Sequence, residues 1–183
     1  MRIRALVLGA ATLLALTSGC GDRGAPDRAA PDGEAVLGSG QDIDLAKVDA
    51  CALVTDDELR AFFGEPAGKK EPKPFGSYRG CALDDASGTS YVFVSVQHPP
   101  IGHKEQFDFD RSQTKKPVAL TGVGEEAFGW YDEDDAEVET RHRGALVIVS
   151  IVLYAANGVG RLDDPPAVFD RLTLLTKQAL ARL

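Results

Sequence analysis

Nowhere does the 183-residue chain hold an apolar run long enough to span a membrane as a helix. The run near its start, Ala5–Leu16, has 12 residues, whereas a span needs about 20. The chain is also short of positive charge, with 20 Lys and Arg against 28 Asp and Glu and a net charge of −8. Phosphate backbones are held by clustered Lys and Arg, so nucleic acid is excluded as a partner. The densest basic group, Lys69, Lys70 and Lys73, lies among Pro and Gly and reads as a solvated loop. Signatures of familiar catalysis are missing too. There is no G-x-S-x-G and no H-E-x-x-H. Ser112-Gln-Thr-Lys115 matches S-x-x-K, but its partner motifs S-D-N and K-T-G are absent. No internal repeat is visible.

Cysteine is scarce: Cys20, Cys51 and Cys81. The first follows an export-like segment. Arg2 and Arg4 form a short basic region, Ala5–Leu16 is apolar, and Thr17, Ser18 and Gly19 are small residues before a cleavage point. The segment resembles a bacterial lipoprotein signal peptide, with Thr17-Ser18-Gly19-Cys20 as its lipobox. The resemblance implies cleavage before Cys20 and a diacylglyceryl group on its sulfur, which places the protein on the outer face of the cell membrane. The rival readings are an ordinary secretory signal and an uncleaved helix. Residues 21–40 are rich in Gly, Pro, Ala and Asp without apolar periodicity and read as a tether, holding the domain roughly 25 Å from its anchor.

With Cys20 consumed by lipid, Cys51 and Cys81 remain as a pair. Outside the cytoplasm they are expected to form a disulfide. They lie far apart in sequence, unlike a C-x-x-C redox turn, and lack neighbouring metal ligands.

Residues 41–183 read as one α+β domain. Thr55 and Glu58 fit a capping box, with Val54 and Leu59 as a hydrophobic staple, for a helix over Asp56–Phe63 ending at Gly64. Glu65–Arg79, with three prolines, reads as a loop. Strands are expected at Cys81–Leu83 and Tyr91–Gln97, then at Phe128–Asp132, Glu137–His142 and Ala145–Tyr154. The last is β-branched and apolar, as a central strand should be. His103–Ser112 is a candidate helix. Asp164 and Pro165 open a final helix with Val168, Leu172, Leu175 and Ala179 on one stripe. Short turns between consecutive strands imply an antiparallel sheet of about five to six strands, with an N-terminal and a C-terminal helix packed on it.

The candidate functional groups are modest. Gly122-Val-Gly-Glu-Glu-Ala matches a dinucleotide fingerprint, but two glutamates sit where a pyrophosphate needs positive charge, so it reads as a turn. His98, His103 and His142 are scattered and imply no metal site. The acidic stretch Asp132, Glu133, Asp134, Asp135, Glu137 and Glu139 lacks the sixth-position glycine of a calcium loop and reads as a solvated hairpin tip. Asp108 and Asp110 fail the same test, with Gln113 at the sixth place. No catalytic set and no cofactor is implied. Trp130 and Tyr131 are the best candidates for a binding face, one expected to point inward and one outward.

Val48-Asp-Ala-Cys-Ala-Leu-Val-Thr-Asp-Asp-Glu-Leu, Gly80-Cys81 and Gly122-Val-Gly-Glu-Glu-Ala, behind a lipobox and tether, resemble the actinobacterial lipoproteins with domain of unknown function 3558. Leu83 stands where that family often has Trp. The resemblance implies an exported, disulfide-bonded envelope domain with no established activity. The layout is also similar to the PsbP-like sandwich, a fold associated with binding and assembly. The expected function is a non-catalytic binding or accessory module for an envelope protein. The alternatives are a carrier for a small or lipidic ligand and an enzyme of unknown type.

Overall fold

The computed structural model describes residues 41–155, 158–159 and 161–183. The expected signal segment, the Cys20 anchor and the tether lie outside the described residues. Among the described residues eight strands are present: β1 Ala67–Pro72, β2 Tyr78–Asp85, β3 Ser90–Gln97, β4 Val118–Leu120, β5 Glu126–Tyr131, β6 Asp135–His142, β7 Ala145–Ala155 and the two-residue β8 Gly158–Val159. Seven of them form one antiparallel sheet in the order β1-β2-β3-β7-β6-β5-β4, and β8 pairs with the end of β7. Three α-helices accompany it among the described residues: α1 Asp56–Phe63, α2 His103–Gln113 and α3 Pro165–Leu180. The fold is α+β, as the strand and helix patterns require.

Alternation within each strand sorts side chains onto two faces. Val92, Val94 and Val96 of β3, Val147, Val149 and Ile151 of β7, and Ala136 and Val138 of β6 share the main core. α3 covers this face over β5, β6 and β7, with Val168, Leu172, Leu175 and Ala179 all buried. Asp164 caps it, its Oδ1 accepting from the Ala167 N–H at 3.2 Å, and Pro165 stands in its first turn. Gly129 lies directly under this helix. A Cβ there would come within 2.6 Å of the Phe169 ring and 2.5 Å of the Glu137 carbonyl oxygen.

α1 forms where its capping box predicts. The Thr55 N–H donates to Glu58 Oε2 at 2.8 Å, and the Glu58 N–H donates to Thr55 Oγ1 at 3.3 Å. Val54 and Leu59 are fully buried beside them, and Gly64 closes the helix in the left-handed conformation at φ 79°. Thr55→Ala should therefore lower stability by about 1 kcal/mol, read as a shift in the urea midpoint at unchanged slope. An unchanged midpoint would show that the cap contributes nothing.

The disulfide joins Cys51, in the 3₁₀ turn Ala50–Ala52, to Cys81 on β2, with 5.1 Å between Cα atoms. It staples the segment before α1 to the sheet.

One expectation is corrected. Part of the stretch read as a loop, Glu65–Arg79, is strand β1, and with it and the short β4 the sheet has seven strands. It lacks alternating apolar residues because it is an edge strand, irregular between Ala67 and Lys70 and ending at Pro72. Lys70 is half-buried there, donating to the Val54 carbonyl oxygen and pairing with Asp56, both at 2.8 Å. Lys69 and Lys73 pair with Glu71. The basic group is thus spent on ion pairs along the edge.

A carboxylate-lined cleft beneath the second helix

The other face of the sheet is covered over only part of its area. α2 lies across it, and its Phe107 packs with Phe128 of β5 and Leu146 of β7 in a separate small core. The Phe107 and Phe128 rings meet edge to face at 5.1 Å. Beyond Phe107 the helix ends, and a cleft of about 770 Å³ opens between its C-terminal turn and the sheet. Asp110 and Gln113 of α2, Thr114–Lys116 after it, Trp130, Tyr131, Asp132, Glu137, Glu139 and Ile148 line this cleft.

The floor follows from strand register. On β6, Ala136, Val138 and Thr140 turn to the main core, so Glu137 and Glu139 must turn the other way. Glu139 stands between Phe128 on β5 and Ile148 on β7; Glu137 stands between Trp130 and Ser150. Glu139 therefore has apolar neighbours on both sides and is only 2% exposed. Its Oε1 has no hydrogen-bond partner among the described residues. Burial, reinforced by the charges of Asp110 and Glu137, pushes its carboxyl up to about 8. Burial also raises Glu137, opposed by a hydrogen bond from Trp130 and assisted by the charges of Asp110 and Asp135.

Asp110 is held in place over this floor. The Gln106 side-chain amide donates to both of its carboxylate oxygens, at 2.9 and 3.0 Å. Thr114 Oγ1 donates to the Asp110 carbonyl oxygen at 2.8 Å, fixing the turn out of the helix. Lys115 and Lys116 follow at the rim, and neither forms an ion pair among the described residues. The cleft thus has acids at its base and cations at its mouth.

The sequence-level candidates divide around this geometry. Trp130 and Tyr131 both line the cleft, and the Tyr131 ring also lies tilted against Phe169 of α3, with 5.1 Å between centroids. The acidic stretch splits. Asp132 behaves as the expected hairpin tip, its Oδ1 accepting from the N–H groups of Asp134 and Asp135 at 2.9 and 3.0 Å. Glu133 pairs with Arg161. Glu137 and Glu139 do not belong to a solvated tip: they are strand residues on the covered face. Their signal was the alternation of β6 itself; what the sequence did not display was the helix laid above them.

Of the scattered groups His98, Asp108 and Asp110, only Asp110 reaches the cleft. Asp108 pairs with Lys104 in solvent at 2.5 Å, and the His98 N–H donates to the Ser77 carbonyl oxygen beside the β1–β2 turn. Gly122 and Gly124 adopt positive φ, 68° and 59°, in a turn that leads into β5, so no helix N-terminus follows for a pyrophosphate. Among the described residues no three His, Cys, Asp or Glu side chains are grouped to hold a metal ion, and no helix is long and apolar enough to cross a membrane. No family model, curated protein or solved structure matches the chain.

Proposed function

We propose that this chain is a lipid-anchored binding module of the cell envelope that holds a small ligand in the cleft beneath α2. The anchor through Cys20 and the position on the outer face of the membrane rest on the signal-like N-terminus and on the resemblance to the envelope lipoproteins. The ligand reading rests on one observation: a buried carboxyl without a partner, Glu139, lines a cleft of about 770 Å³. That volume is in the range of small-molecule sites, and the walls combine an aromatic side chain with a few convergent polar groups. Burying an unsatisfied carboxyl costs free energy, which a ligand that bonds to it recovers. This favours the carrier reading over a module that only docks another envelope protein.

An enzyme is the second reading, because Glu137 and Glu139 both have raised carboxyl pKa values in a cleft. Turnover of the bound compound would select it.

Native mass spectrometry of the full chain, extracted from membranes in mild detergent, tests both halves of the proposal. The expected result is a chain beginning at a diacylglyceryl-modified Cys20, carrying an extra mass that leaves on denaturation. The extra mass should vanish in Ile148→Trp, which fills the cleft. An unmodified N-terminus contradicts the anchor; a bare protein, or an extra mass that survives Ile148→Trp, contradicts the ligand site.

A further inference from the structure

We propose that the cleft takes a small organic cation, an amine or amidinium, with its charged nitrogen between Glu137 and Glu139 and its carbon frame against Trp130 and Ile148. The proposal deepens the ligand-site reading and rests on it.

Three observations carry it. First, the deep groups are acids: Glu137 and Glu139 on the floor and Asp110 above them. Second, Glu139 is 2% exposed with Oε1 unpartnered, an acceptor for which no described residue supplies a donor. Third, Trp130 stands beside Glu137 across the β5–β6 pair, lines the cleft and hydrogen-bonds to the Glu137 carboxylate, which puts an aromatic side chain next to an acid that a cation would meet. A metal ion fits less well, because the three acids do not group as ligands about one point. An anion fits only the rim, where Lys115 and Lys116 lie, and is repelled at the floor.

The groups facing Glu139 also fix how binding depends on pH. From α2 comes Asp110, from the segment after it Lys115 and Lys116, and from the turn after β5 Asp132. Along β6 lie Glu137 and Arg141, the latter already paired with Glu125 and Glu126 at 3.4 and 3.1 Å. β5 and β7 present Phe128 and Ile148, which do not titrate. Burial and the charges of Asp110 and Glu137 outweigh any neighbouring cation among the described residues, so Glu139 keeps its proton at pH 7. An ammonium ion entering the cleft favours the carboxylate, and the displaced proton goes to solvent. Affinity for a cation should therefore rise with pH until about 8.

The test uses Trp130, the only tryptophan in the chain, as the reporter. The probes are benzylamine, its neutral analogue benzyl alcohol, and benzoate, each titrated into the full chain in detergent. Benzylamine should change Trp130 emission saturably and bind at least about tenfold more tightly than either analogue. Its affinity should increase at least about tenfold between about pH 6 and about pH 8. Glu139→Gln, which removes a buried ionisable group and should fold at least as well, should weaken benzylamine at least about tenfold and remove most of the pH dependence. Glu137→Gln should weaken it as well but leave the rise with pH. Benzyl alcohol or benzoate binding as tightly as benzylamine overturns the cation assignment and leaves the ligand site standing. So does benzylamine binding that is indifferent to Glu139→Gln. Failure of all three probes to move Trp130 emission overturns the ligand-site reading itself.

Discussion

Glu139→Gln should make the protein more stable above pH 8 by on the order of 3–5 kcal/mol and leave it nearly unchanged below about pH 4. The sign follows from where the carboxyl titrates. Its ordinary value is 4.5 and the folded protein raises it to about 8, so between these values the folded state holds a proton that the unfolded state has released. Stability contributed by the protonated form is complete below about 4.5 and is lost as pH rises through about 8. Each pH unit in that window costs about 1.4 kcal/mol. Glutamine carries no proton to lose, so the difference between variant and parent isolates this one group from Glu137, Asp135 and the other titrating side chains. Urea unfolding at a series of pH values reads it directly. Parallel curves for variant and parent would mean that the Glu139 carboxyl reaches water in the folded state, and the cleft floor would then be wet rather than sealed between Phe128 and Ile148.

The second large effect belongs to the opposite face. Replacing Cys51 and Cys81 together by Ala should remove roughly 3.5 kcal/mol, the chain-entropy value for a bond closing a 30-residue separation. That segment contains α1 and β1, and β1 is an edge strand with charged rather than apolar side chains, so little else holds it in the reduced, unfolded ensemble. Cys81 faces the main core, away from the cleft. The double variant, tested below its own unfolding midpoint, should therefore bind benzylamine as the parent does. A loss below about 1 kcal/mol would assign the stability of this corner to packing and to the Arg182–Glu58 pair at 2.7 Å instead.

Which parts of this structure were legible in the sequence depends on whether the determining physics was local. The capping box at Thr55 and Glu58, the Asp164-Pro165 start of α3 and the stripe from Val168 to Ala179 are settled by neighbours within a few residues, and each appears where the sequence places it. The β-branched run of β7 likewise identifies a central strand, now seen between β3 and β6. β1 was not legible because an edge strand has no buried face to impose alternation; Lys69, Lys70 and Glu71 are there through pairing with β2 and ion pairs, which are non-local.

The cleft sits between these cases. Trp130 was singled out as a candidate for a binding face, and the cleft lies against it. Glu137 and Glu139 looked like the continuation of the acidic tip at Asp132–Asp134, since composition cannot separate a turn carboxylate from a strand carboxylate two residues further on. The alternation Ala136, Glu137, Val138, Glu139 already placed both acids on one face. Only α2, anchored by Phe107 against Phe128 and Leu146, turns that face from solvent into an enclosed floor. α2 itself has few apolar residues, with Phe107 its single buried side chain, so its sequence gives little notice of what it covers.

The most direct test of the acidic, ligand-ready floor is the titration of the Glu139 carboxyl by carbon-13 NMR, assigned through Glu139→Gln, without ligand and with saturating benzylamine. The account predicts a midpoint at about 8 in the empty protein and a clear fall when the amine is bound. A midpoint at the ordinary carboxylate value, unmoved by benzylamine, would contradict both the burial of Glu139 and the cation site built upon it.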